Sequence, residues 1–78
     1  MDLTRALHEL QKARRFVRDG QRCMVRQRNV VEELERQGHD TVEAIQLLEY
    51  LEEMQDQYMA HRNRLESQVM GLVKPAED

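Results

Sequence analysis

Apolar side chains recur every seven residues along the first half of the chain, where Leu3, Leu10, Val17, Met24 and Val31 form an unbroken series. The residues three positions after each of them are mostly small. Such a repeat lines up one column of side chains on one face of an α-helix, where a partner helix can pack against it. The pattern predicts a first helix over about residues 3–37.

The second half of the chain repeats this pattern after a short interruption. Its seven-residue series consists of Ala44, Leu51, Tyr58, Leu65 and Leu72. The series predicts a second helix over about residues 41–73, and Pro75 disfavours helix in the residue ahead of it. Residues 74–78 are expected to form a short, frayed, acidic tail.

The interruption carries the signals of a tight connection between two helices. Gly38 suits the left-handed position just after a helix, because glycine has no Cβ to clash there. Asp40 suits the N-cap of the next helix, and Glu43 stands three residues later, where a capping box needs it. A connection this short predicts helices that run antiparallel. The predicted fold class is therefore all-α, a single domain over residues 1–78 built as an antiparallel two-helix hairpin.

Closing the hairpin defines a seam, which is the line of contact between the two helices. Residues whose numbers add to about 78 should lie at the same level, because the hinge is centred near residue 39. The predicted seam consists of Val17, Gly20, Met24 and Val31 of the first helix and of Leu47, Leu51, Met54, Tyr58, His61 and Leu65 of the second. In this register Gly20 leaves space for the Tyr58 ring, and small residues oppose large ones at most levels.

Several apolar residues remain outside the predicted seam, and they indicate a second surface at which a partner binds. The residues expected to form a dimer or partner surface are Phe16, Cys23, Val30, Ile45, Leu48 and Met59. A chain of 78 residues has one small core, worth only about 3–5 kcal/mol without further support. We expect a homodimer in which two hairpins form a four-helix bundle, and the alternative is that the same surface binds a helix of another protein.

The composition of the chain is typical of a cytoplasmic protein. The single cysteine, Cys23, excludes an intrachain disulfide, as expected of a protein kept under reducing conditions. Charged residues make up 35% of the chain and interrupt every apolar run, so we expect no membrane span. Cys23 itself is interpreted as a small buried apolar residue, or as a residue at the dimer axis.

Charge is unevenly distributed along a chain whose formal net charge is −3. The middle of the first helix is basic and the start of the second is acidic, so folding is expected to pair part of this charge internally. The alternative is a nucleic-acid face formed by Arg15, Arg18, Arg22 and Arg26. A dimer would duplicate these arginines, by analogy with the RNA-binding Rop protein of plasmid copy control, an analogy at the level of fold alone.

Candidate chemistry is sparse. The three histidines are spread over both helices and the hinge, and no spacing matches a metal site, so we expect neither metal nor cofactor. His61 in the seam would be a partly solvated core residue, or a group whose protonation loosens the packing. No nucleophile pattern or phosphate-binding loop is present in the sequence, and we expect no enzyme.

The hinge segment Gly38-His39-Asp40-Thr41-Val42-Glu43-Ala44, with the later segment Met59-Ala60-His61-Arg62-Asn63-Arg64-Leu65, resembles short uncharacterised two-helix proteins of proteobacteria. The resemblance covers about half the chain. It implies a small bacterial helical hairpin and transfers no catalytic residue. The sequence thus predicts a small cytoplasmic protein-interaction or regulatory module, with the nucleic-acid-binding dimer as the alternative.

Overall fold

The structure of the chain, a computed structural model, describes residues 2–73. Helix α1 spans Leu3–Arg36 and helix α2 spans Val42–Val73, and the described residues contain no strand. The all-helical fold class is confirmed, and two helices fit the predicted hairpin with boundaries within one residue of those expected. The tail predicted at residues 74–78 lies outside the described residues.

Helix α1 ends in a complete Schellman motif. Gly38 has a φ of +73°, which places it in the left-handed region. Its N–H donates to the carbonyl oxygen of Glu35 at 3.1 Å, and the N–H of His39 donates to that of Leu34 at 2.9 Å. These two bonds satisfy carbonyl groups that the helix end would otherwise leave without partners. The hinge therefore depends on glycine at residue 38.

Helix α2 begins one residue later than its predicted cap implies. The Thr41 carbonyl accepts the first helical bond, from Ile45 at 2.9 Å, so Thr41 takes the N-cap position. The carboxylate of Asp40 precedes it and accepts a hydrogen bond from the Val42 N–H at 3.0 Å, so it still serves one free N–H of the first turn. The predicted return bond from Glu43 is not among the hydrogen bonds of residues 2–73.

The further along α1 a residue lies, the earlier in α2 is the residue that it contacts. The carbonyl oxygen of Val17 accepts a hydrogen bond of 2.8 Å from the side-chain amide of Gln55. The side-chain amide of Gln27, ten residues further along α1, donates to the carbonyl oxygen of Ala44 at 2.9 Å. Each helix thus sends one glutamine across the seam to the backbone of the other, and the two bonds fix the relative position of the helices along their length.

The α1 side of the seam follows the seven-residue series of the sequence. Its buried residues are Ala6, Leu10, Ala13, Met24 and Val31. Val17 and Gly20 lie between them and are half-buried. Leu10 and Ala13 form a hydrophobic cluster with Leu65, and Val69 packs against it. The predicted contact of Ala13 with Leu65 is therefore present.

Helix α2 keeps one predicted seam column, in which Leu65 is buried and Leu51 and Tyr58 are half-buried, but turns a different second column towards α1. Gln55 is only 3% exposed, and Val69, fourteen residues further on, packs on the Leu10 cluster. The column with this spacing is Leu48, Gln55, Arg62 and Val69. Leu47 is 47% exposed and His61 is also exposed. Their predicted places in the seam are wrong.

The side-chain amide of Gln55 lies in the seam, where it makes one hydrogen bond and its Oε1 is buried without a partner among the described residues. Its Nε2 is bonded to Val17, and its Oε1 lies in the notch above Gly20, where an added Cβ would overlap it. A Cβ at residue 20 would also lie 3.5 Å from Cδ2 of Tyr58, so the predicted contact between Gly20 and Tyr58 is present. A polar residue that can reach a backbone carbonyl thus enters the seam in place of the more apolar Met54, which stays half-buried beside it.

The chain forms a single layer of two helices, with Cα extents of 64 × 18 × 15 Å. Within residues 2–73 no large side chain is fully buried. Neither α1 nor α2 contains an apolar stretch long enough to cross a membrane.

Candidate interaction surfaces

One side of the hairpin carries apolar side chains that lie outside the seam. We call it the apolar strip, and it consists of Phe16, Cys23 and Val30 of α1 and of Leu47, Tyr50 and Met54 of α2. Four of these residues, Phe16, Cys23, Tyr50 and Met54, help to line one shallow groove of about 220 Å³. Val30 and Leu47 each lie seven residues from a groove residue on the same helix, so they continue the strip towards the hinge.

The apolar strip is largely open to solvent. The exposed fraction is 55% for Phe16, 57% for Tyr50 and 41% for Val30. The Phe16 ring stacks on the Tyr58 ring, with centroids 5.5 Å apart and an angle of 25° between the planes, which holds Phe16 at the rim of the groove. A contiguous patch of large exposed apolar side chains is typical of an interaction site.

The strip exists because α2 has two partly apolar columns and only one of them enters the seam. Leu47 and Met54 lie immediately before Leu48 and Gln55 in the sequence. Successive residues point about 100° apart around a helix, so turning the later pair towards α1 leaves the earlier pair on one side of the hairpin. The rotation that corrects the predicted seam therefore also creates this surface.

The predicted dimer surface is divided by the structure. Phe16, Cys23 and Val30 lie in the apolar strip, but Leu48 shares the column of Gln55 in the seam. Ile45 and Met59 each lie five residues from Tyr50 or Met54 along α2, which places them about 140° around the helix from the strip. The prediction that all six residues share one surface is wrong, because it rested on the wrong seam column.

Two further expectations about single side chains are also wrong. Cys23 is exposed in the groove, so it is not a small buried residue of the core. His61 is exposed, so its protonation would not place a charge inside the seam. Among residues 2–73 no three His, Cys, Asp or Glu side chains are grouped as a metal site would require.

The second candidate surface is the arginine face of α1, formed by Arg15, Arg18, Arg22 and Arg26. All four side chains are exposed. Two shallow depressions run along this face, one lined by Arg15 and Arg18 and the other by Arg22 and Arg26. Within the part of the chain that the structure describes, none of the four guanidinium groups forms an ion pair.

The expected internal pairing of basic and acidic segments is limited. Between the two helices, the described residues form one ion pair, Arg14 with Glu66, whose atoms are 3.7 Å apart and whose side chains are both exposed. The remaining ion pairs lie within one helix, one of them between Arg36 and Glu33. Most of the basic charge of α1 therefore stays available to a partner.

Comparison of the chain with protein-family models, with curated proteins and with solved structures finds no match. The resemblance to two-helix proteins of proteobacteria stays a prediction. The apolar strip and the arginine face are therefore the two candidates for function.

Proposed function

We propose that this chain is a small cytoplasmic protein-interaction module, an antiparallel helical hairpin that binds through its apolar strip and whose first partner is a second copy of itself. The observation that carries the proposal is the strip: six apolar side chains on one side of a hairpin whose seam is already filled by other residues. The product would be a four-helix bundle.

The contacts across the seam support the antiparallel arrangement. Gln27 reaches Ala44 near the hinge, Val17 is reached by Gln55 further away, and Leu10 packs on Leu65 further still. The separation along the chain grows steadily as the contacts leave the hinge. Two helices joined by the five residues between Arg36 and Val42 have this order of contacts when they run in opposite directions.

The energetics favour a partner on the strip. Transfer of a large apolar side chain from water to a fully buried site is worth about 1.5–3 kcal/mol, and residues such as Phe16, Tyr50 and Leu47 have about half of that to gain. A single layer of two helices offers no other place to bury them. A second hairpin laid on the strip supplies an apolar face of the same length.

Sedimentation equilibrium over a wide range of protein concentrations tests the proposal, with two valines as a matched pair. Val30 lies in the strip, whereas Val25 is exposed to a similar extent, 46% against 41%, on a different face of α1 that borders Arg22 and Arg26. We expect the wild type and Val25→Asp to reach twice the mass of the chain, and Val30→Asp to stay monomeric. A wild type that is monomeric throughout would exclude the dimer, and equal effects of the two variants would exclude the strip as its surface.

A second function, binding of nucleic-acid phosphates, is favoured by one specific observation. The four guanidinium groups of the arginine face form no ion pair among the described residues and follow one side of a single helix. Arginine binds phosphate through fixed, paired N–H donors. Each phosphate contact releases bound counterions, so such binding weakens steeply with added salt.

Fluorescence anisotropy of labelled RNA hairpins and DNA duplexes at several salt concentrations tests this second function. We expect log K to fall with log salt concentration, with a slope reduced by about one for each phosphate contact removed. Arg18→Ala and Arg22→Ala should each reduce the slope, whereas Arg28→Ala, an exposed arginine on a different side of α1, should leave it unchanged. The absence of binding at low salt would exclude this function and leave the interaction module unaffected.

A further inference from the structure

The apolar strip is bordered by a column of charged residues whose signs follow a regular order. On α1 this border column consists of Lys12, Asp19, Arg26 and Glu33, each three or four residues from a strip residue. All four side chains are exposed, and their charges alternate in sign along the helix. On α2 the corresponding charged residues are Glu43 and Arg64, which are exposed and opposite in sign, with Tyr50 of the strip and Gln57 between them in the same column.

On each helix the charges lie symmetrically about one point, with opposite signs at equal distances from it. On α1, Asp19 and Arg26 are equidistant from a point between residues 22 and 23, and so are Lys12 and Glu33. On α2, Glu43 and Arg64 are equidistant from a point between residues 53 and 54. These two centres lie at the same level of the hairpin, because Cys23 and Met54 line the same groove.

From this arrangement we infer the orientation of the partner copy, an inference that rests on the proposed dimer. The second hairpin lies face to face on the strip, related by a two-fold axis that is perpendicular to the helices and passes at the level of Cys23 and Met54. Each helix then runs antiparallel to the same helix of the partner, and the two hinges lie at opposite ends of the four-helix bundle.

The two-fold axis turns the order of signs into complementary contacts. In a symmetric interface, residue i contacts residue j of the partner and residue j contacts residue i. Asp19 meets Arg26 of the partner subunit, Lys12 meets Glu33 of the partner subunit, and the same holds for Glu43 with Arg64. Every charged residue of the border column faces the opposite charge, while Phe16, Val30 and Met54 fill the centre.

The competing arrangement, with both hinges at one end, places like charges together. There α1 would lie beside α2 of the partner, with residues of the same level adjacent. Lys12 is level with Arg64, because the neighbouring residues Ala13 and Leu65 are in contact. Glu33 and Glu43 lie at similar distances from the hinge, so they would also meet. Juxtaposed like charges at an interface select against the arrangement that creates them.

A charge exchange at Asp19 and Arg26 tests the orientation, with the dimer Kd measured by sedimentation. Neither residue forms an ion pair among residues 2–73, so little within the hairpin depends on them. Asp19→Arg and Arg26→Asp should each raise the Kd about tenfold, which corresponds to about 1.4 kcal/mol. The double variant should return to within about threefold of the wild type, because both contacts are restored with reversed signs.

Control variants separate this effect from net charge and helix stability. Arg18→Asp changes the net charge as Arg26→Asp does, but at an exposed position about 80–100° around α1 from Arg26 and Asp19, and should leave the Kd nearly unchanged. Mixing Asp19→Arg with Arg26→Asp should form a heterodimer tighter than either homodimer. That mixture serves as a second measurement if circular dichroism shows the double variant to be unfolded.

The possible results test the orientation of the partner and the existence of the dimer separately. A dimer that ignores the single reversals, or a double variant and a mixture that both stay weak, would overturn the orientation while leaving the interaction module in place. A monomeric wild type would overturn the proposed dimer and the orientation with it. Weak single variants with a restored double variant and mixture would establish the two-fold axis.

Discussion

At residue 20, α1 carries a glycine in mid-helix, where glycine costs about 1 kcal/mol relative to alanine. The side-chain amide of Gln55 occupies the space above it and is held by its bond to Val17. A methyl group at residue 20 would overlap Oε1 of that amide, so the amide would have to move and its hydrogen bond to Val17 would be strained. The helix propensity lost at Gly20 is therefore offset by a contact between helices.

We expect Gly20→Ala to destabilise the hairpin by about 1 kcal/mol in the wild type, since the displaced hydrogen bond and the lost packing outweigh the gain in propensity. In a Gln55→Ala background the same change should stabilise it by about 1 kcal/mol. Urea unfolding of the four proteins measures the difference. Gly71→Ala is the matched control, because α2 has open space there, and it should stabilise in both backgrounds. Equal effects of Gly20→Ala in the two backgrounds would contradict the contact.

Glycine is required at residue 38 because of the backbone conformation there and not because of a neighbouring side chain. Its φ is +73°, and an added Cβ would meet nothing within 4 Å. Gly38→Ala should therefore cost about 1 kcal/mol from left-handed strain alone, in the Gln55→Ala background as in the wild type. Thermal unfolding followed by circular dichroism measures it. A stabilising effect would show that the hinge does not require the left-handed region.

At the scale of the element, the rotation of α2 decides which leucine supports the fold. Leu48 shares the seam column of Gln55, whereas Leu47 is 47% exposed in the apolar strip. Leu48→Ala should cost the monomeric hairpin about 2 kcal/mol, and Leu47→Ala less than about 1 kcal/mol. Urea unfolding at low protein concentration gives both values.

The same two variants should have effects of the opposite order on the proposed dimer. Leu47→Ala removes part of the strip, so it should weaken association more than it weakens the hairpin, as seen by sedimentation. Leu48→Ala should show the reverse order. If Leu47→Ala proved the more costly change for the monomer, the seam would follow the column that the sequence predicts.

The two glutamines that cross the seam also act at this scale. Gln27 and Gln55 each donate to a backbone carbonyl of the other helix, at 2.9 and 2.8 Å. Such bonds stabilise one relative position of two helices and are lost when either slides by one residue. Gln27 stands three residues after Met24 of the seven-residue series, at a position that faces the partner helix, whereas nothing in the sequence gives Gln55 a role.

At the scale of the whole molecule, the hairpin is a layer of two helices with the apolar strip on one side. A dimer formed on that side is stabilised by mass action, so its melting temperature should rise with protein concentration. Val30→Asp should remove most of this dependence, and Val25→Asp should preserve it. Differential scanning calorimetry at several concentrations measures the slope. A melting temperature independent of concentration in the wild type would indicate a monomer.

The elements of this protein follow from local features of its sequence. Both helices, the hinge at Gly38 and the face that α1 presents are predicted from spacing and capping residues within one residue of the structure. These features depend on neighbours within one or two helical turns, so the sequence alone contains the information that determines them.

The rotation of α2 depends on residues far apart in the chain. Two adjacent columns, one with Leu47 and Met54 and the other with Leu48 and Gln55, flank the same seven-residue series and have similar apolar content. Periodicity alone cannot choose between them, and neither can a count of apolar residues, because each column contains two. The tertiary structure makes the choice, because the amide of Gln55 fits only where Gly20 leaves a notch and Val17 offers a carbonyl. The apolar strip is the consequence of that choice.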